Sequence, residues 1–296
     1  MKEIYFAGGC FWGVEHFFKG VDGVVNTTPG YANGALDNPS YEQVYTDTTG
    51  HAETVKVEYN PEKVSLQQLT RLFFAIIDPE SLNRQGHDEG TRYRTGIYYT
   101  ADADKPAIKV VFDTIPGKVV TELEPLKCFF PAEEYHADYL DKNPQGYCHL
   151  PLKAFRYLRL YQDLKLVLAD ETDEIALMSQ IAAYIQERMG FFWTGFYRVD
   201  ADTLVLGPFQ GPPACMRIRY GKGVCGTSWK EKRTLVVPDV EEFPGHIACS
   251  AESRSEIVVP VIRKGEVAAV LDIDSRETAT FDGFDAAFLE LIADIL

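Results

Sequence analysis

With 296 residues, the chain is long enough for one large domain or two of ordinary size. Its net charge of −15 argues against nucleic acids and anionic membrane surfaces as partners, because phosphate groups are bound by basic faces. The longest apolar runs fall short of the ~20 residues of a membrane-spanning helix, and the N-terminus lacks the apolar core of a signal peptide. We therefore expect a cytoplasmic protein, in which the six cysteines are catalytic or buried rather than structural disulfides.

The first predicted elements flank a cysteine in the sequence FAGGCFWGVE. Residues 4–7 are typical of a strand and residues 11–19 of a helix, so Cys10 lies where the strand becomes the helix. The free N–H groups and the dipole of a helix N-terminus favour an anion, which predicts a lowered pKa for this thiol. A small buried cysteine at a helix start explains the same local features equally well.

Strands and helices continue to alternate along the first half of the chain. The patterns predict strands at 52–58 and 94–100, helices at 65–77 (with Ser65 as N-cap) and 102–113, an extended segment at 121–127, and a polar helix or turn at 132–142. This alternation predicts an α/β or α+β domain of about 150 residues.

Several polar residues fall in the loops and at the strand ends of this half: Tyr41, Glu53, Asp88, Tyr93 and Cys148. Each alone has an ordinary structural explanation, such as a surface carboxylate, a half-buried aromatic residue or a turn cap. Their sequence contexts are more specific than the single residues. GCFWGVE, SYEQV, GHAE, GHDEGTRYR, AEEYH and NPQGYC follow one another in this order.

In this order and at these intervals the motifs resemble the peptide methionine sulfoxide reductase A enzymes, which act on the S diastereomer. The resemblance covers about residues 2–149 and implies a mixed sheet with flanking helices. It also implies a nucleophilic Cys10 and a proton-donating Glu53. A sulfoxide sulfur is a poor electrophile until its oxygen is protonated, so the reaction needs a carboxylic acid that stays neutral near pH 7.

The same resemblance assigns roles to the other residues of this half. Tyr41 and Tyr93 would hydrogen-bond the sulfoxide oxygen, and Asp88 would support that network. Phe11 and Trp12 would enclose the S-methyl group. Cys148 would form a disulfide with Cys10, which a dithiol reductant such as thioredoxin would reopen. Cys128, in an apolar run with no acid or base nearby in sequence, is predicted to be a buried structural thiol.

The two halves are predicted to be joined by a helix at residues 151–168, between domains at 1–150 and 169–296. Apolar residues at 152, 155, 158, 161, 164 and 168 share one helical face. A flexible linker would instead be rich in glycine and serine. We expect this helix to pack on one or both domains in a fixed arrangement.

The second half begins and ends with a predicted helix. The patterns predict helices at 172–189, 224–232 and 284–296, strands at 192–199, 203–206, 215–220 and 235–237, and a hairpin of 256–262 with 266–273 around Lys264-Gly265. A mainly antiparallel sheet between helices resembles the GAF architecture, a small-molecule-binding domain. The whole chain is then of the α+β class.

Three cysteines distinguish this half from a plain sensor domain: Cys215, Cys225 and Cys249. A zinc site built from them and His246 is a rival explanation, but the spacing lacks any CxxC pair. The segments LGPFQGPPAC, GKGVCGT, PGHIAC, SRSEIVVP and LDIDS together resemble the free methionine-R-sulfoxide reductases, which have the GAF fold. The match runs from about residue 161 to residue 296.

This second resemblance implies Cys249 as the nucleophile, Cys215 as the resolving thiol and Cys225 as a third, auxiliary thiol. Acidic residues in one pocket raise one another's pKa, which helps keep one of them neutral as a proton donor. The resemblance places three such acids against the substrate: Glu256, Asp272 and Asp274. Trp193 and Tyr197, on one face of a strand, would form the methyl pocket.

The sequence thus predicts a bifunctional enzyme that reduces both epimers of methionine sulfoxide and depends on thioredoxin, with no metal or other cofactor. The main alternative is an S-specific reductase whose GAF domain is a regulatory sensor. A peroxide-sensing thiol protein without reductase turnover is a third hypothesis. The sequence carries no signal for the oligomeric state, and a homodimer is one option.

Overall fold

The computed structural model describes residues 1–247 and 250–296. The chain divides into two compact units, Met1–Phe155 and Arg156–Leu296, each with its own six-stranded sheet. No helix in the described part of the chain combines the length and apolar character needed to cross a membrane.

The first unit begins with the strand–helix pair that carries Cys10. Its elements, in chain order, are β1 (Lys2–Gly8), α1 (Phe11–Lys19), β2 (Val24–Ala32), α2 (Tyr41–Tyr45), β3 (Ala52–Tyr59), α3 (Leu66–Ala75), β4 (Arg84–Gln85), β5 (Asp88–Glu89), β6 (Thr95–Tyr99), α4 (Lys105–Phe112), β7 (Glu122–Pro125), β8 (Phe129–Pro131) and α5 (Tyr139–Lys142).

The sheet of the first unit is mixed, in the order β7-β6-β1-β3-β2-β8. Only the β6–β7 pair is parallel among these strands, and β1 and β3 lie at the centre. The fully buried Phe6 of β1 stacks on Phe18 of α1 and on Phe73 of α3, with ring centroids 4.7 and 4.8 Å apart. This aromatic packing holds α1 against the sheet and thereby fixes the position of its first residue relative to β3.

Most of the predicted elements of this unit are present. The helix at 11–19 is confirmed, and Ser65 caps α3 by accepting a hydrogen bond from the Gln68 amide. The segment 132–142, predicted as a polar helix or turn, consists of turns followed by the four-residue helix α5. Two elements were not predicted: β2, in which Pro29 and Gly30 interrupt the alternating pattern, and the short helix α2.

The second unit is built around an antiparallel sheet in the order β11-β10-β9-β14-β13-β12. The helix α6 (Leu152–Val167) contains the division between the units. The elements that follow are α7 (Glu174–Met189), β9 (Trp193–Asp200), β10 (Thr203–Gln210), β11 (Arg217–Arg219), α8 (Gly223–Glu231), β12 (Leu235–Val237), β13 (Ser255–Arg263), β14 (Glu266–Ser275) and α9 (Gly283–Ala293).

The predicted hairpin is confirmed. β13 and β14 are joined by Lys264 and Gly265, both with positive φ (51° and 83°), as a type I′ turn requires. The helix α7, predicted at 172–189, is capped by Asp173 and ends at Gly190 in the left-handed conformation. Together the two units form the predicted α+β fold, with a mixed sheet followed by an antiparallel one.

Most of the apolar face predicted for residues 151–168 is buried, including Leu158, Tyr161, Leu164 and Leu168. Leu152 is an exception, since 79% of it is exposed. Within the second unit, the Tyr157 ring stacks on Phe288 of α9 at 5.4 Å, and its hydroxyl donates to Asp285 Oδ1 at 2.8 Å.

Candidate active sites

The first candidate site is centred on Cys10, the N-cap residue of α1. The chain turns into this helix through Gly9, whose φ of +84° disfavours other residues. A Cβ on Gly9 would also lie 2.7 Å from Gln85 Cβ, so the close approach of these two segments requires glycine. Only 6% of Cys10 is exposed, which places the thiol at the inner end of the site.

Glu53 lies beside this cysteine. Its Oε2 accepts a hydrogen bond from the backbone N–H of Phe11 at 3.1 Å, and only 2% of the residue is exposed. Burial raises the pKa of Glu53 to about 8, although the Phe11 amide and the Arg92 guanidinium act in the opposite direction. At neutral pH this carboxyl group is therefore protonated and can donate its proton.

The prediction that Cys10 has a lowered pKa is wrong for this structure. The amide of Trp12 lowers the pKa of the thiol, as expected at a helix N-terminus, but burial and the nearby Glu53 raise it well above its usual value. Desolvation thus outweighs the helix terminus. In this structure Cys10 therefore carries its proton at neutral pH.

Aromatic rings line this site. Phe11 is fully buried, and its ring lies 5.0 Å from the imidazole of His136. The Trp12 indole stacks on Tyr139 at 3.7 Å and donates its Nε1–H to Nδ1 of His136 at 3.1 Å. Burial lowers the pKa of His136, so its ring is neutral and can accept this hydrogen bond. His136 therefore fixes the orientation of Trp12.

Tyr41 also packs against the imidazole ring of His136. Its side chain lies 4.6 Å from the His136 ring, and its backbone N–H donates to Glu133 Oε1 at 2.8 Å. The other carboxylate oxygen of Glu133 accepts a hydrogen bond from the hydroxyl of Tyr31, which is opposite Glu53 in the β2–β3 register. Glu133 and His136 were not among the predicted site residues, although both belong to the AEEYH motif. No sequence signal identified Tyr31.

Tyr93 follows Arg92 on a short 3-10 turn and is also buried. The guanidinium group of Arg92 lies over the rings of Tyr45 and Tyr93, 4.3 and 4.4 Å from their centroids, and is paired with Asp47. Burial, with Glu53 close by, raises the pKa of both Tyr93 and Tyr41, the latter to about 12. Both hydroxyl groups therefore keep their protons and can act as hydrogen-bond donors.

Asp88 connects the site to the segment that carries Cys148. It accepts a hydrogen bond from the hydroxyl of Tyr147, and its buried Oδ2 has no hydrogen-bond partner among the described residues. The sulfur of Cys148 lies over the first turn of α1, 3.2 Å from the position that a Cβ on Gly13 would take. Cys148 is partly buried, and burial raises its pKa.

His149 anchors the same segment. Its Nε2 lies 3.0 Å from the carbonyl oxygen of Gly8, and burial lowers the pKa of the ring to about 4. The ring is therefore neutral, and the carbonyl partner requires the proton on Nε2. His149 was not among the predicted site residues.

Cys128 differs in part from its prediction as a buried structural thiol. It is only partly buried, and its sulfur lies 3.5 Å from the carbonyl oxygen of Gly34 and 4.0 Å from Nε2 of His51. The histidine is distant in sequence, so this neighbour could not be recognised from the residues around Cys128.

The second candidate site lies on one face of the sheet in the second unit. Alternate residues of a strand point to the same face, so Asp272 and Asp274 share a face of β14. In the register, Asp274 is opposite both Glu256 on β13 and Trp193 on β9. Tyr197 lies four residues after Trp193 on the same face, with the two rings 6.0 Å apart.

These residues line a pocket that the first turns of α8 also border. The sulfur of Cys225 on α8 lies 3.8 Å from Glu256 Oε1, and Glu256 Oε2 lies 3.8 Å from His246 Nε2. The structure therefore brings together six of the predicted residues: Cys225, Glu256, Asp272, Asp274, Trp193 and Tyr197.

The carboxyl groups of this pocket are strongly perturbed. Burial and mutual repulsion raise the pKa of Glu256 and Asp272 well above the usual range, and burial raises that of Asp274 to about 6. Burial, reinforced by Asp272 and Glu256, likewise raises the pKa of Cys225. The pocket therefore contains protonated carboxyl groups at neutral pH.

The two thiols assigned to turnover at this site are Cys215 and Cys249. Cys215 is disulfide-bonded in the structure. Cys249, predicted as the nucleophile, lies outside the described residues, so its role stays a prediction.

A buried thiol beside a protonated carboxyl group, at the start of a helix on a mixed sheet, defines a thiol-based oxidoreductase. The chain belongs to the peptide methionine sulfoxide reductase family, whose model matches residues 2–164, more than half of its length. A GAF domain model matches residues 171–296.

Individual relatives match about half of the chain. This chain is 52% identical to the peptide methionine sulfoxide reductase MsrA of Clostridium acetobutylicum over 158 residues. The match covers 51% of this chain and 96% of the relative. Among solved structures it is similar to the free methionine-R-sulfoxide reductase of Neisseria meningitidis (50% identity, 49% of this chain and 88% of that one, TM-score 0.48). It is also similar to reduced Mxr1 of Saccharomyces cerevisiae (43% identity, 51% and 91%, TM-score 0.49).

Proposed function

We propose that this protein is a bifunctional methionine sulfoxide reductase with one active site in each unit. The first unit reduces the S epimer, free or in polypeptides, with Cys10 as nucleophile and Glu53 as acid. The second reduces the free R epimer, with Cys249 as nucleophile. The observation that carries the proposal is the buried, protonated carboxyl of Glu53 next to Cys10, because sulfoxide reduction requires this combination.

In the first unit, Glu53 lends its proton to the sulfoxide oxygen while the sulfur of Cys10 attacks the sulfoxide sulfur. Glu53 then regains a proton from the Cys10 thiol, and the sulfoxide oxygen passes to the sulfur of Cys10. Methionine leaves and Cys10 becomes a sulfenic acid, so the thiol is oxidised by two electrons and the sulfoxide reduced by two. Tyr41 and Tyr93 supply hydrogen bonds to the oxygen, and Phe11 and Trp12 contact the methyl group.

Cys148 then attacks the sulfenic acid, which forms a disulfide with Cys10 and releases water. Two features support this step: Cys148 lies over the first turn of the helix that Cys10 begins, and Tyr147 and His149 anchor the segment on either side of it. A dithiol reductant of the thioredoxin type reopens the disulfide by exchange. A cytoplasmic location is part of this proposal, since such reductants operate there.

In the second unit, the acidic pocket fits a free amino acid. Its carboxyl groups can bind the substrate ammonium and donate a proton to the sulfoxide oxygen, while Trp193 and Tyr197 contact the methyl group. The motif resemblance that runs from about residue 161 to residue 296 supports the same substrate. Cys215 acts as the resolving thiol, and Cys225 stays at the pocket as an auxiliary group.

The experiment is turnover of each free epimer by two single-cysteine variants, with thioredoxin, its reductase and NADPH as the reducing system. Cys10→Ser should lose reduction of the S epimer and keep that of the R epimer, and Cys249→Ser should show the reverse pattern. Full R activity in Cys249→Ser would refute the second assignment. Wild-type protein without any R activity would favour a GAF sensor domain that regulates the first unit.

A further inference from the structure

The pocket of the second unit has an unusual charge balance. Three carboxyl groups and a thiol line it, whereas its described lining contains no lysine or arginine. Its basic side chain is His246, whose Nε2 lies 3.8 Å from Glu256 Oε2. Once its carboxyl groups give up their protons, such a pocket binds cations, and its donor atoms determine which cation fits.

Three of these side chains lie close enough to bind one ligand together. One ligand atom each from Cys225, Glu256 and Asp272 lies within 4.8 Å of the others, and the exposed fractions of the three residues are 3%, 6% and 6%. The sulfur and Glu256 Oε1 are 3.8 Å apart. Donor atoms of a tetrahedral zinc site, with bonds of about 2.0–2.3 Å, are roughly 3.5 Å apart, so a small inward movement suffices for coordination.

A second observation points to a missing partner. Oδ1 of Asp272 is buried without a hydrogen-bond partner among the described residues, although it lies in a polar pocket. A buried carboxylate oxygen without a partner costs free energy, so a ligand that binds it is favoured. The substrate ammonium could serve this oxygen, but an ammonium gains little from a neighbouring sulfur, whereas a thiophilic metal ion gains a strong bond.

We propose that Cys225, Glu256 and Asp272 form a binding site for a thiophilic divalent cation such as Zn²⁺ in the reduced protein. Binding releases to solvent the thiol proton and any protons held by the two carboxyl groups, and the sulfur and two carboxylate oxygens become ligands. The imidazole of His246 or a water molecule completes the tetrahedron. This ligand set contains one cysteine, and it differs from the three-cysteine zinc site that the sequence spacing disfavours.

The consequence rests on the proposed function of the second unit. A cation held by Glu256 and Asp272 occupies the carboxyl groups that the substrate needs for its ammonium and for its proton. Zn²⁺ should therefore inhibit reduction of free methionine-R-sulfoxide, and a chelator should restore it. Reduction of the S epimer serves as the internal control.

The metal site itself is tested with Co²⁺, which reports thiolate ligation by a charge-transfer band in the near ultraviolet. The reduced full-length protein, freed of metal with a chelator, is titrated anaerobically with Co²⁺. We expect a saturable thiolate–cobalt band that an equimolar amount of Zn²⁺ abolishes. Cys225→Ser should lack the band, and Asp272→Asn should keep it but need at least about tenfold more Co²⁺.

Matched controls separate this site from the other thiols. Cys128→Ser and Cys215→Ser each remove a cysteine that the proposed site does not use, so both should titrate like the wild-type protein. Circular dichroism verifies that Cys225→Ser folds, and Asp272→Asn keeps the test decisive if it does not. The absence of a band in the wild-type protein, or its loss in Cys215→Ser, would overturn the proposal.

The inhibition measurement is separate from this test. A protein that binds Co²⁺ through Cys225 but never reduces the R epimer would retain the metal site and refute the function proposed for the second unit. A protein that reduces the R epimer without any thiolate–cobalt band would refute the metal site alone.

Discussion

The two candidate sites keep a carboxyl group protonated in different ways. In the first unit a single carboxyl group, Glu53, is surrounded by aromatic rings and accepts the Phe11 amide, with Arg92 opposing the shift. In the second unit Glu256, Asp272 and Asp274 share one face of two adjacent strands and repel one another, in addition to being buried. Desolvation is the largest cause in both sites, reinforced by the neighbouring Asp88 and Asp47 in the first and by mutual repulsion within the acid cluster in the second.

This difference affects how each site responds to change. A single buried acid has one pKa, and its replacement removes the proton donor entirely. A cluster of acids titrates as a unit, so the loss of one member changes the pKa values of the others. Substitution of the single acid should therefore abolish most activity of the first site, whose pH dependence follows one pKa. Substitution of one acid in the second site should cost less activity and shift its pH dependence.

The largest effect is expected for Glu53→Gln. Glutamine keeps the size and can accept the Phe11 amide, but it cannot donate a proton to the sulfoxide oxygen. We expect kcat/KM for methionine-S-sulfoxide to fall by about 10²–10⁴-fold, with R-epimer reduction unchanged. Initial rates with each free epimer measure this effect.

The pH profile tests the same residue independently. Because the pKa of Glu53 is raised to about 8, its proton-donating form predominates below that pH and is lost above it. The wild-type rate with the S epimer should fall above about pH 8, and Glu53→Gln should lack this decline. A decline of the same size in the variant would assign it to another group, and a wild-type rate that keeps rising would contradict the acid role.

A smaller effect is expected for Asp272→Asn. The change removes an acidic group that raises the pKa of Glu256, so that pKa should fall and less of the acid form of Glu256 should remain at pH 7. We expect the R-epimer rate to drop by roughly 10–100-fold at neutral pH and its optimum to move to lower pH. Rates measured across the pH range check both effects.

The same variant should be more stable at alkaline pH. An acid whose pKa is raised in the folded protein binds more protons there than in the unfolded chain, so stability falls as the pH rises towards the folded-state pKa. Replacing this acid should raise the free energy of unfolding at pH 8 by roughly 1 kcal/mol, and with it the melting temperature. Glu266→Gln, at the exposed start of the same strand, should change neither rate nor melting temperature.

The smallest effect is expected for Gly13→Ala on α1. The added Cβ would lie 3.0 Å from the His149 ring and 3.2 Å from the sulfur of Cys148, so the segment carrying Cys148 must shift. The first turnover, which uses only Cys10 and Glu53, should be unaffected. Disulfide formation should slow, which lowers thioredoxin-driven turnover about 3–10-fold.

Two measurements isolate that step. Rapid-quench analysis gives the methionine formed in the first turnover, and NADPH consumption gives the steady-state rate. Cys148→Ser provides the limiting case, with one methionine per protein and little further turnover. A wild-type steady-state rate in Gly13→Ala would mean that the position of Cys148 tolerates this displacement.

The elements that could be predicted from the sequence are those whose signals are local. Strong local patterns identified α1, the capped helix α3 and the β13–β14 hairpin, since their signals lie within a few adjacent residues. The strand β2 was missed because Pro29 and Gly30 break its alternation, and tertiary pairing with β3 stabilises it instead. The five-residue helix α2 is too short for a periodic pattern, although Ser40 and Gln43 form its capping box.

The prediction of the site residues from sequence has the same limit. The motifs indicated Cys10, Glu53 and the three acids of the second unit, but burial is a property of the folded chain. The helix terminus predicted the correct direction for the Trp12 amide effect, and desolvation reversed the net pKa shift of Cys10. Contacts between distant segments, such as Cys128 with His51, could not be read from local sequence.

The hairpin turn at Lys264-Gly265 has an influence beyond its own position. Side chains on paired strands alternate between faces, so a slip of β13 by one residue would turn Glu256 away from Cys225 and from the acids of β14. The geometry of this two-residue turn and the bulge between Val261 and Ile262 set that alignment from the far end of the hairpin. A substitution for Gly265 could therefore abolish chemistry at a site that this residue never contacts, through misalignment rather than unfolding.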